Sequence, residues 1–176
     1  MQLRADAKLP FSRPEVFAAY RDKLPELLPY LPNVRKIDVK SREEDGKITK
    51  LLNVWHGGGE IPAAARAVLS EAMLTWDDQA TWNEEDFTTT WVIKTHAMTE
   101  AVKCEGTNRY LEENGQTVLE IRGVLEIDAK KIRGVPGFLA GKVGKTVEEF
   151  LIGKIQPNLV ETVKGLQKYL ESQAKK

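Results

Sequence analysis

Residues 138–170, FLAGKVGKTVEEFLIGKIQPNLVETVKGLQKYL, decide how the rest of the chain is arranged. Val143, Val147, Phe150, Leu151, Ile155, Leu159, Val163, Leu166 and Leu170 recur every three or four positions, which lays one apolar stripe along a single helix face. Lys145, Glu148, Glu149, Lys154, Glu161, Lys164 and Lys168 occupy the opposite face. Such a stripe must be buried against a partner, and the segments before it read mainly as strands. Pro157 falls inside the stripe and removes a backbone donor, so the pattern predicts two helical segments joined near Gln156. Gly141, Gly144, Gly153 and Gly165 loosen it further. These features describe a jointed lid rather than a plain core plug.

Upstream, Leu3, Ala5, Ala7 and Leu9 alternate with polar residues as in a half-buried strand. Ser12-Arg13-Pro14-Glu15 has capping-box spacing and predicts a short helix burying Val16, Phe17 and Tyr20. A second short helix is expected at about Leu24–Leu28, ended by Pro32-Asn33. From Val34 the period becomes two. Ile37 and Val39 mark a second strand, and Ile48, Leu52 and Val54 a third that runs into Trp55-His56-Gly57-Gly58-Gly59. The alanine-rich Ile61–Ser70 reads as a short helix or an extended connector. Leu74, Trp76, Ala80 and Trp82 then share one face of a fourth strand; Phe87, Thr89, Trp91, Ile93 and Thr95 share one face of a fifth. Val102 to Tyr110 and Leu119 to Ile127 form a hairpin about Asn114-Gly115. The order is strand, two short helices, six strands in a meander and a long helix. It predicts one α+β domain over residues 1–176, a seven-stranded antiparallel sheet with its helices on one face.

Lys plus Arg and Asp plus Glu number 26 each, so the net charge is zero and nothing draws the chain to nucleic acid. The lone Cys104 cannot form an intramolecular disulfide. No secretion signal or membrane-spanning run is visible, and a cytoplasmic protein is expected.

This layout resembles the START-like, or SRPBCC, helix-grip superfamily, which includes Bet v 1-like and polyketide-cyclase-like proteins. A local likeness to PRELI-type lipid-transfer domains lies in the Ile61-Pro62 to Leu69 connector, the strand sequence TWDDQATWNEEDFTTTWVIKT, and Asn158 and Gly165 of the last helix. The resemblance implies a curved sheet wrapped around the last helix, with a cavity between them for an apolar ligand. On it, the expected cavity lining is His56, Trp76, Asp78, Trp82, Trp91, Asn108 and Tyr110 from the sheet. Phe138, Leu139, Val143, Val147, Phe150 and Leu151 are expected from the helix.

The residues support a hollow interior independently. Trp76, Trp82 and Trp91 share the inward parity, and aromatic walls suit ligand pockets as well as filled cores. Thr89, Thr95, Asn108 and Asp78 lie on the same face, where buried polar groups need partners that a cavity can supply. His56 is read as inward, either as an acid–base group or as a satisfied polar side chain; His96 is read as outward. Neither has the neighbours a zinc site needs, and no metal or cofactor is expected. No nucleophile elbow, P-loop or dinucleotide fingerprint is present, and His56-Gly57-Gly58-Gly59 lacks the elbow that would make it an oxyanion loop. Lys130, Lys131 and Arg133 before Val135–Gly141 suggest transient contact with an anionic membrane or simply a solvated turn. Three functions follow as expectations. The first is non-enzymatic binding or transport of a hydrophobic small molecule, foremost a lipid. The others are a polyketide cyclase/aromatase-like enzyme and a protein-interaction module.

Overall fold

The computed structural model describes residues 1–58, 71–132 and 135–175. Its seven strands are β1 (Gln2–Leu9), β2 (Val34–Asp45), β3 (Ile48–Gly57), β4 (Thr75–Asn83), β5 (Thr88–Thr95), β6 (Val102–Glu113) and β7 (Gln116–Ile127). They form one antiparallel sheet in the order β1-β7-β6-β5-β4-β3-β2, so the first strand closes against the last. The meander follows from its turns. Asn114 and Gly115 both take positive φ, which a tight β6–β7 hairpin requires, and Gly46 does so between β2 and β3. The Ile61–Ser70 connector lies outside the described residues.

Helix α1 (Arg13–Asp22) carries Pro14 in its first turn and buries Val16, Phe17 and Ala19. Ser12 sits at its N-cap, but the hydroxyl makes no capping bond, so the capping-box spacing marks the start without the expected hydrogen bond. Leu24–Tyr30, with prolines at 25 and 29, is the second short helix and is wound as 3-10 turns. A further 3-10 turn at Gly137–Leu139 leads into helix α2 (Ala140–Ala174).

Helix α2 runs unbroken through Pro157, contrary to the two segments expected from the sequence. The donor that proline lacks would have met the carbonyl of Gly153, and Gly153 is exposed, so water can satisfy that oxygen. Next to the proline, Gln156 clips the helix to the edge of the sheet: its Oε1 accepts from the Arg4 backbone N–H at 3.3 Å, and its Nε2 donates to the Arg4 carbonyl. Beyond this clip Thr162, Val163, Leu166, Tyr169 and Leu170 are buried. Gly165 allows the close approach, because a Cβ there would stand 2.8 Å from Leu31 Cδ2 and 3.2 Å from the Tyr30 carbonyl oxygen.

Candidate functional site: a tryptophan-lined cavity between sheet and helix

Strand register places the inward side chains in transverse rows. Thr49, Trp82, Thr89, Asn108 and Ile121 form one; Leu51, Ala80, Trp91, Gly106 and Gly123 form the next. Asn53, Asp78, Ile93, Cys104 and Leu125 follow, and then Trp55, Trp76 and Thr95. Neighbours within a row stand about 5 Å apart, so each row acts as a unit of packing. In the second row the glycines let an indole lie down. A Cβ on Gly123 would sit 2.6 Å from Trp91 Cη2, and one on Gly106 would come closer still. Trp91 therefore spreads flat over β6 and β7, and its Nε1–H donates to Asn108 Oδ1 at 2.9 Å. Trp82 packs edge-on to Phe17 and Tyr20, with ring centroids 5.2 and 5.5 Å apart, while Trp55 and Trp76 stack at 5.9 Å.

Flattening and pairing the large rings leaves a cavity of about 130 Å3 beneath α2. All four tryptophans of the chain border it, with Tyr20, Asp78, Ala80, Thr89, Ile93, Thr95 and Asn108. Phe150, Leu151, Lys154, Ile155, Asn158, Leu159 and Thr162 roof it from the helix.

The lining is apolar except for a few poorly partnered groups. Trp55 Nε1, Trp82 Nε1 and Thr89 Oγ1 are buried with no hydrogen-bond partner among the described residues, as are Asn53 Oδ1 and the Tyr110 hydroxyl just behind the wall. An unpaired buried donor costs about 1–3 kcal/mol, so several together mark a place where something else can bind. Asp78 is half-buried and borders the cavity. Burial lifts its carboxyl to about 6, against weaker opposing effects of the Asn53 and Trp55 side chains. Asn53 Nδ2 donates to Asp78 Oδ2 at a long 3.5 Å, while Trp55 Nε1 makes no well-formed bond to it. Burial, with the nearby Asp78 charge, also raises the Tyr20 hydroxyl, and the buried Cys104 thiol is pushed up to about 12.

Of the residues expected at the cavity, Trp76, Asp78, Trp82, Trp91, Asn108, Phe150 and Leu151 meet there. Others do not. His56 is turned to the outer face, where its Nε2 lies 3.2 Å from Asp38 Oδ2. The reason is an inverted pattern on β3: polar Thr49 and Asn53 point inward and are buried, while Ile48, Leu52 and Val54 point outward. His96, outward as expected, meets Asp77 Oδ1 at 2.6 Å. Tyr110 is buried behind the wall, edge-on to Phe17 at 5.0 Å. Val147 is core and Val143 packs against the core, outside the cavity. Phe138 is 87% exposed and Leu139 38%, so neither reaches the space. Tyr20, Trp55, Lys154 and Asn158 join the lining without having been expected there. Trp55 follows from the same inverted parity, and the others from helices whose rotation the sequence does not determine.

No protein-family model matches the sequence, and no curated protein matches it. Solved structures do. A Thermus thermophilus protein, TTHA0849, is 19% identical, with a TM-score of 0.66 over 98% of this chain and 99% of that one. The Zhui aromatase/cyclase from Streptomyces sp. R1128 is 15% identical, with a TM-score of 0.67 over 99% and 95%. Truncated norcoclaurine synthase from Thalictrum flavum is 12% identical, with a TM-score of 0.62 over 97% and 92%. At such identities these likenesses establish the fold: the chain has the helix-grip fold of the START-like, Bet v 1-like proteins.

Proposed function

We propose that this chain binds a small, ring-bearing apolar molecule in the cavity between sheet and helix α2. The observation that carries the reading is the convergence of all four tryptophans on a space of about 130 Å3 that holds unpaired donors. A dry cavity of about 150 Å3 accepts one benzene ring, so this space suits a ligand of about that girth. A lipid fits only if residues 140–156 lift away. The exposed Phe138, with Lys130 and Lys131 nearby in sequence, would then be the end that meets a membrane.

A second reading, aromatase/cyclase-like chemistry, is favoured by Asp78. A carboxyl lifted to about 6 can exchange a proton near neutral pH, and it borders a cavity that Asn108 and unpaired indole donors also line. The Zhui aromatase/cyclase has the same fold. His56 takes no part in this version, since it faces outward.

Calorimetric titration with 2-phenylethanol and, separately, with palmitate tests the binding reading. Saturable one-to-one binding of 2-phenylethanol is expected. Uptake of palmitate alone would transfer the site to lipids, and failure of both would sink it.

A further inference from the structure

We infer that the cavity is built for a cationic ligand, an aromatic amine whose ammonium group pairs with Asp78 inside the tryptophan wall. The inference rests on the cavity-binding reading above and narrows its ligand class. Three observations lead to it.

Asp78 is a half-buried acid without a counter-ion among the described residues. Among the described residues its carboxylate forms no ion pair, and its side-chain hydrogen bond is the long contact from Asn53. Buried carboxylates are ordinarily paired, because removing a charge from water is costly. This one borders a cavity instead.

The surroundings offer π faces as well as dipoles. Trp76 lies two residues before Asp78 on β4, Trp55 stacks on Trp76, and Trp91 lies in the adjoining row beside Ala80. The negative face of an indole attracts a desolvated cation, and aromatic cages recognise ammonium groups this way. A carboxylate set among such rings gives a cation two sources of attraction where an uncharged ligand finds one.

The protein's own cation does not fill the role. Lys154 borders the cavity, but its Nζ lies 5.8 Å from the Phe150 ring centroid and makes no ion pair with Asp78. The other titratable groups near Asp78 are Tyr20 from α1 and Cys104 and Tyr110 from β6, all held neutral by burial. Among the described residues, Lys154 is the one basic side chain that borders the cavity. If Asp78 were instead kept neutral as a hydrogen-bond donor, it would favour a ligand oxygen over an ammonium.

The test compares three probes of one shape by calorimetry at pH 7.5: 2-phenylethylamine, 2-phenylethanol and 3-phenylpropionate. The amine is expected to bind about ten- to a hundredfold more tightly than the alcohol, the range of a charged hydrogen bond, with the carboxylate weakest. Asp78→Asn should erase the amine preference while keeping alcohol binding, and Lys154→Gln should keep the preference. Equal binding of amine and alcohol to the wild-type protein overturns the inference and leaves the cavity reading intact, and that comparison needs no variant. An amine preference that survives in Asp78→Asn also overturns it. Binding of none of the probes overturns the inference, and failure of palmitate as well overturns the cavity reading with it.

Discussion

The two halves of helix α2 carry the same kind of apolar stripe and rest on different things. After Pro157, the helix buries Thr162, Val163, Leu166, Tyr169 and Leu170, and Gly165 nestles against Leu31 and Tyr30 with no space to spare. Before it, Phe150, Lys154 and Ile155 are only half-buried and look down on a cavity. The stretch from Phe150 to Thr162 roofs the cavity, while Val147 before it and Val163, Leu166 and Leu170 after it pack in the core. Amphipathic periodicity therefore reports that a face is covered, and it does not say whether the cover is protein or ligand.

The sharpest way to expose this contrast is to truncate one residue on each side. Leu166→Ala, at a fully buried position, should lose about 2–5 kcal/mol in denaturant unfolding. Ile155→Ala, which borders space already empty, should lose less than about half as much. Equal losses would mean that the cavity side is packed as tightly as the other.

Asp78 gives the next largest effect. Its folded pKa, about 6, lies above the ordinary value of 3.8, so the folded state binds its proton more tightly than the unfolded chain does. The sign follows: the buried charge penalises folding at pH above about 6, and the penalty fades as pH falls from about 6 toward 4. At full extent it is about 3 kcal/mol. Asp78→Asn should therefore be more stable than wild type at pH 8 and lose that advantage by pH 4.5. A stability difference that stays flat with pH, measured by urea titration, would show that the carboxyl is well solvated.

Thr89→Val is the mildest probe. It keeps the shape and deletes a hydroxyl that finds no partner, so the unliganded protein should gain up to about 1 kcal/mol. A clear loss in thermal unfolding would show that the hydroxyl is satisfied, and with it that this corner of the cavity is complete.

The meander, its turns and the inward faces of β4 to β7 are legible in the sequence because they alternate regularly and turn at residues such as Asn114-Gly115. The site is legible where that alternation holds, as for Trp76, Asp78, Trp82 and Trp91. It fails on β3, where Thr49 and Asn53 point inward and Ile48, Leu52 and Val54 outward, so that apolar alternation puts His56 on the wrong face. A polar-lined wall breaks the very pattern used to read inside from outside, and local rules fail at such sites for that reason. Pro157 misleads differently. Proline's cost depends on whether the freed carbonyl is buried, and the exposure of Gly153 is a property of the packed helix, not of its sequence.

The central claim is that the tryptophan wall encloses a binding site, and the chain carries its own reporters of it. Its four indole N–H groups can be followed in a proton–nitrogen correlation spectrum while 2-phenylethanol is added. Binding in the cavity should move the Trp55 and Trp82 signals most, as unpaired donors meet a ligand oxygen, and Trp91 least, since its N–H already donates to Asn108. Four unmoved indole signals at saturating probe, or shifts confined to backbone amides on the outer face of the sheet, would contradict the account.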